Sequence, residues 1–291
     1  MASNKLKSTL FQILDIFPAK TGFYLYHQLQ KALFKNLDSK IEANKASFKK
    51  CEDILAKHAF SLEHKNILEI GSGWMPMMPY LFKSLGKCSK IYTYDINKHY
   101  DNKYINQLNQ LFPSLQGYYE QIPAGSKYNL PSFVNYFPKR DVGDGKLPND
   151  VDLVFSRFVL EHVDKDAMVK MHKNLRQLNK DTLILHMISP SDHRAYTDKS
   201  LSLYDFLKYS QDEWDSIQTK FDYHNRLRLP QYLEIFESTG FELLDVWYDI
   251  PEKDSHKYQA FKELSIHKDF SQYTEDELLA GSINVILRNK K

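Results

Sequence analysis

The run Asn66–Pro76, NILEIGSGWMP, constrains the fold of this chain more than any other stretch. Its first five residues read as a short buried strand. Gly71-Ser72-Gly73 then permits a tight turn with close backbone approach to a ligand. Apolar runs of the same kind recur at Ile91–Asp95, Val134–Phe137, Val151–Ser156 and Thr182–Ile188, with helical stretches between them. That alternation predicts βαβ units and a buried parallel sheet with helices on both faces. Residues 164–178 form one such helix, with Met168, Met171, Leu175 and Leu178 along a single stripe. Pro230 opens another, which Gly240 closes. Two late strands, Phe241–Tyr248 and Ser282–Leu287, bring the expected number to seven.

Composition narrows the class. A hydrophobic fraction of 42% excludes wholesale disorder. Lysine and arginine number 39 against 37 acidic residues, too even a balance for a basic nucleic-acid binder. Two cysteines, Cys51 and Cys88, make neither a disulfide framework nor a four-cysteine zinc site, and read as reduced thiols of a cytoplasmic protein. No segment reaches the ~18 apolar residues of a membrane span. Leu10–Phe17 imitates a signal peptide, but Asp15 interrupts it and no small-residue cleavage pattern follows, so it reads as the start of the mature chain.

Residues 1–60 read as a helical cap. Phe23, Tyr26, Gln30, Leu33, Phe34 and Leu37 recur at helical spacing, and Lys40–His58 lacks Gly and Pro. Asp15, Asp38 and Glu42 spoil the basic face of an interfacial membrane helix. Residues 61–291 form the main domain. Within it, 190–229 and 249–280 stand outside the strand–helix alternation, and 190–229 reads as a substrate-side insertion.

Three ligand classes use a glycine loop of this kind. A dinucleotide site needs a third glycine where this chain has Pro76, and a triphosphate site needs a loop lysine that is absent. A nucleoside without phosphates remains. Asp95 lies 22 residues beyond Gly73, the spacing of a carboxylate that accepts hydrogen bonds from ribose hydroxyls. Glu69 would repel a pyrophosphate and tolerate a sulfonium or ammonium group, as in S-adenosyl-L-methionine.

The stretches LEIGSGW, YTYDIN, DLVFSRFVLEHV and GFELLDV resemble a class I S-adenosylmethionine-dependent methyltransferase of the type 11-like kind, over roughly Phe48 to Leu287. The resemblance implies a Rossmann-like seven-stranded methyltransferase sheet. It also implies cofactor contacts at Glu69, Gly71, Ser72 and Gly73, at Asp95 and Ile96 on the ribose side, at Asp141 on the adenine side, and at Ser156 and Arg157 after the fourth strand. Met75 replaces the third glycine of the usual loop pattern. The G-W-x-P-x-x-P version is similar to a bacterial branch associated with cell-surface glycan biosynthesis. The implied acceptor is a small molecule, glycosyl or anionic, methylated at a hydroxyl. The alternatives are an RNA or protein methyltransferase and a catalytically silent cofactor-binding subunit.

Methyl transfer to a hydroxyl benefits from a base. His193, which follows the fifth strand beside Asp192 and Arg194, is the first choice, and His162 in LEHV the second. His186 reads as a core histidine, and His224 as one that orients the insertion. Asp192, His193 and Asp222 form no compact carboxylate cluster, so no metal site is expected. Arg157, Arg194, Arg226 and Arg228 are candidates for an anionic substrate. Trp214 and Tyr204 offer faces that could stack on a sugar ring.

Overall fold

The computed structural model describes residues 37–120, 127–219 and 221–290, and positions 14, 16, 17, 21, 22 and 25 before them. The expected helical repeat of Phe23, Tyr26, Gln30, Leu33 and Phe34, and the start of the chain through Leu10, lie outside the described residues.

The strands are β1 (Asn66–Ile70), β2 (Lys90–Asp95), β3 (Val134–Pro138), β4 (Leu153–Arg157), β5 (Leu183–Ile188), β6 (Phe241–Asp249) and β7 (Gly281–Asn289). The helices are α1 (Leu37–Lys57), α2 (Met77–Ser84), α3 (Asn102–Leu111), α4 (Gln116–Tyr119), α5 (Lys165–Leu175), α6 (Gln211–Ile217), α7 (Leu229–Ser238), α8 (His256–Lys262) and α9 (Glu275–Leu279). One seven-stranded sheet runs β3-β2-β1-β4-β5-β7-β6. Its first five strands are parallel, and β7 is antiparallel to both β5 and β6. The order reverses between β1 and β4, so crossovers leave in opposite directions and open a crevice at the carboxyl ends of those strands. This is the Rossmann-like architecture the sequence predicts.

The strands are near-continuous apolar runs because both faces are covered. Against one face lie α1, through Ile41, Phe48, Cys51, Ile54 and Leu55, together with α2 and α3. Against the other lie α5, through Met168, Met171 and Leu175, and α7, through Tyr232, Ile235 and Phe236. The two segments outside the alternation build a third core together: Tyr204, Phe206, Leu207 and Trp214 pack with Phe261, Phe270, Leu278 and Leu279. Trp214 is 1% exposed and donates its indole N–H to the His224 carbonyl, and Tyr204 donates its hydroxyl to Leu279. Neither offers a face to a sugar ring. That expectation is corrected.

Between β4, β5 and α5 lies a dry polar pair. His172 Nδ1 bonds the Met168 carbonyl at 2.8 Å, so that nitrogen carries the proton and Nε2 accepts. His186 then donates from Nε2 to His172 Nε2 at 3.1 Å, and its Nδ1 accepts the Ser156 hydroxyl at 2.7 Å. Both rings are fully buried, and burial pushes His172 down to about 4 and His186 well below the usual histidine range. The unfolded chain takes up protons near pH 6.5 that the folded pair refuses. This pair's contribution to stability is therefore complete above that pH and lost as pH falls toward the folded value. Imidazole 15N NMR should find His172 as the Nδ1–H and His186 as the Nε2–H tautomer, neither titrating between pH 8 and about 5. A midpoint near the ordinary histidine value for either ring would contradict the network.

Candidate functional site

Gly71 and Gly73 follow β1 with φ of +78° and +60°, a region that side chains other than glycine enter at a cost. The two differ in what they face. A Cβ on Gly71 would lie 2.4 Å from Val159 Cγ2, whereas one on Gly73 would meet nothing within 4 Å. Gly71 thus closes the turn against the β4 loop, and Gly73 leaves its backbone open to a ligand. Asp95, at the end of β2, ties this loop to its own: its carboxylate accepts from Gly73 N at 3.2 Å, Ser72 Oγ at 3.4 Å and Asn97 N at 2.8 Å. His99 Nε2 approaches the same carboxylate at 3.3 Å.

A cleft of about 480 Å³ runs along these carboxyl ends, lined by Gly71, Gly73, Asp95, Ile96, Asp141 and His162 among others. Two apolar side chains stand exposed at its walls, Ile96 at 70% and Phe158 at 43%. Phe158 has φ of +57°, unusual for a bulky residue, and follows directly on β4. The carboxyl Oδ1 of Asp141 accepts from Gly143 N at 2.7 Å.

Beside the glycine loop a smaller cavity of about 200 Å³ brings Lys40 and Asn44 of α1 to Glu69, Trp74 and Arg157. Arg157 is held by Ser47 Oγ at 2.8 Å and Asn44 Oδ1 at 3.2 Å. Burial raises the Glu69 carboxyl to about 8, against the pull of the Thr93 hydroxyl bonded to it. Burial, then the Arg157 charge, lowers the Lys40 ammonium to about 8, and its Nζ sits 4.0 Å from the Trp74 ring centre. Ionisable groups of both signs around one small cavity suit a zwitterion.

At the far end, His162 lines the cleft with Phe221 and Tyr223 of the insertion. Its Nδ1 donates to the Tyr223 carbonyl at 2.8 Å, leaving Nε2 with the lone pair. His193 stands behind it, ring centres 4.9 Å apart, and stacks on His224 at 4.9 Å and 17°. Burial pushes His193 and His224 down to about 3 and also lowers His162. Glu161, in the same turn as His162, is fully buried, and that burial lifts its carboxyl to about 8. Asn225 pins the turn: its side-chain amide donates to the Leu160 and Val163 carbonyls, each at 2.7 Å.

Several sequence expectations change. Ser156 is fully buried and bonded to His186, so its hydroxyl does not face the cleft. The Asp192 carboxylate is buried and bound by Arg194, with a 2.6 Å contact from Nη2, and its pull on His193 is outweighed by burial of that ring. Arg194 also reaches Asp205 at 3.1 Å. Arg226 donates to the Phe206 carbonyl at 3.0 Å, and Arg228, 1% exposed, to the Pro190 carbonyl at 2.9 Å. Those three arginines hold the insertion together, and of the four candidates Arg157 alone reaches a cavity beside the glycine loop. His224 is less an orienting histidine than part of the ring cluster. Glu161 and Asn225 were passed over, although Glu161 stands next to His162 in the sequence.

No family model and no curated protein matches this sequence. Solved structures do. The magnesium protoporphyrin IX methyltransferase of Synechocystis PCC 6803 with bound S-adenosylhomocysteine is 13% identical, covering 96% of this chain and 99% of that one, at a TM-score of 0.48. The bacterial CtHen1-C methyltransferase domain is 11% identical, covering 85% and 99%, at 0.46. The mitomycin 7-O-methyltransferase is 12% identical, covering 78% of this chain and 49% of that one, at 0.42. This chain therefore spans about half the length of the mitomycin enzyme.

The loop geometry separates its two glycines experimentally. Gly71→Ala adds an unfavourable φ and a clash with Val159, a cost of about 2–5 kcal/mol by urea unfolding. Adding Val159→Ala should recover the steric share. Gly73→Ala should cost about 1–2 kcal/mol, from φ alone. Equal stability of the two single variants would refute this division.

Proposed function

We propose that this chain transfers a methyl group from S-adenosyl-L-methionine to a hydroxyl of a small polar molecule, a sugar or related metabolite. The observation that carries the reading is the open face of Gly73 bound to Asp95, where β1 and β4 diverge, with the mixed-charge cavity directly beside it. The donor set fits a nucleoside joined to an amino acid. Asp95 would accept from ribose hydroxyls, and Asp141 would take the adenine side. Ile96 and Phe158 would give the base two apolar walls. Lys40 and Arg157 suit an amino-acid carboxylate, and Glu69 the ammonium. When bound, the cofactor supplies a methyl group on a positively charged sulfur, which makes transfer a displacement that needs alignment more than activation.

The chain's own residues handle the acceptor. Val159 and Phe221 narrow the cleft where it meets the insertion. His162 presents a neutral ring with its lone pair on Nε2, since the Tyr223 carbonyl holds the proton on Nδ1. An acceptor hydroxyl entering on this side would meet the Glu161–His162–His193 group, whose donor atoms can take its hydrogen bond. That exposed rim favours an active enzyme over a silent cofactor-binding subunit. The glycan context of the loop pattern makes sugar hydroxyls the first acceptors to screen.

Two outcomes follow. Asp95→Ala removes charge-assisted hydrogen bonds to the ribose and should weaken S-adenosylhomocysteine binding by about 2–4 kcal/mol in calorimetry. Undiminished affinity would end the assignment. His162→Ala should lower turnover about 100-fold or more with that affinity kept.

A further inference from the structure

Three side chains from two distant parts of the sequence meet at the rim. Glu161, His162 and His193 each offer one donor atom, a carboxylate oxygen and two ring nitrogens, all within 4.8 Å of one another. We infer that these residues form a binding site for a first-row divalent transition-metal ion of the zinc class, its open side facing the acceptor end of the cleft.

The donors are prepared for such an ion. His162 holds its Nδ1 proton on the Tyr223 carbonyl, the outer-shell arrangement that fixes a metal-binding imidazole. His193 Nε2 is buried without a hydrogen-bond partner. So is Oε2 of Glu161, on a side chain with no exposed surface, while its Oε1 accepts only weakly from Ser189 N at 3.3 Å. Buried polar atoms without partners are costly, and a cation among them would satisfy both at once. The frame is rigid, because Asn225 clamps the 160–163 turn and its backbone N–H bonds the Glu161 carbonyl at 2.7 Å.

The ligand types choose the metal. Two imidazoles with one carboxylate suit zinc and its first-row neighbours, whereas magnesium and calcium take oxygen ligands. Ligands about 2.1 Å from a common ion lie roughly 3–4 Å from each other, so the site contracts on binding by rotation of the rings. Three protein ligands leave a position open, and His162 is exposed toward the cleft. Resting on the methyltransferase reading, the role follows. A hydroxyl at the open position has its pKa lowered and releases its proton to water. Its oxygen then forms the bond to the methyl carbon as the carbon–sulfur bond breaks, the electron pair leaving on sulfur. The ion takes the place of a free imidazole base.

Untagged protein stripped with a chelator is titrated with Zn2+ in a calorimeter and with Co2+ by visible absorption. One equivalent should bind, with ligand-field bands of a nitrogen–oxygen site. Glu161→Gln and His193→Ala should each weaken Zn2+ binding by at least about 100-fold, the upper end of what outer-shell changes cost. Their affinity for S-adenosylhomocysteine should stay that of the wild type. If Glu161→Gln does not fold, His162→Ala, at an exposed ring, carries the same expectation. Absence of stoichiometric binding, or equal binding by all variants, overturns the site. The S-adenosylhomocysteine titration keeps the two ideas apart. Its failure sinks the methyltransferase reading and leaves metal uptake standing, and cofactor binding without metal uptake sinks the metal site alone.

Discussion

The site depends on the contact between Gly71 and Val159. It closes the crevice between β1 and β4 at its base, where a single added methyl group would collide. With that base fixed, the loop after β1 turns outward and the loop after β4 turns across it. The cleft between them inherits its width from the packing beneath. The positive φ of Phe158 belongs to the same constraint: the chain leaves β4 abruptly, and Phe158 stands exposed while Val159 is packed. The cleft is thus a by-product of core geometry before it is a binding site.

Strand positions were legible because parallel strands buried on both faces leave continuous apolar runs. Asn66–Ile70 was read without error, and most of the other strand ends moved by one or two residues. The position of Asp95 was legible for a related reason: it ends a strand, and strand ends define where side chains can converge. The histidine cluster was not legible. His162, His193 and His224 follow one another at intervals of 31 residues, and nothing local says that a turn, a strand end and an insertion meet. Bonds from Asn225 and the Tyr223 carbonyl to the 160–163 turn, and from Ser189 N to Glu161, help bring them together.

Two misreadings have a common origin. Residues 190–229 mix aromatic and charged residues, a composition shared by binding surfaces and by small cores with buried arginines. Here Trp214, Tyr204 and Phe206 found their partners in Phe261, Phe270 and Leu279, from the other segment without sheet character. The guanidinium of Arg228 went to main-chain carbonyls in that core. Sequence adjacency misled at Asp192 as well. In the short turn that follows it, a residue two positions on is the nearer partner, so Arg194 took the carboxylate intended for His193.

These assignments divide the labour of the rim. If the arginines and aromatic rings of the insertion were free, they would define an acceptor by charge and stacking. Committed as they are, they make the insertion a stiff wall that contributes Phe221 and Tyr223 to the cleft and His193 and His224 behind it. Gly22 lies close to the Phe221 ring, where an added Cβ would collide with it. Under the proposed function, selectivity toward an acceptor would have two sources, the shape left between these walls and the chemistry of the Glu161–His162–His193 donors. The guanidiniums of Arg194, Arg226 and Arg228 are spent on the insertion's own carboxylates and carbonyls, so those residues do not by themselves argue for an anionic substrate.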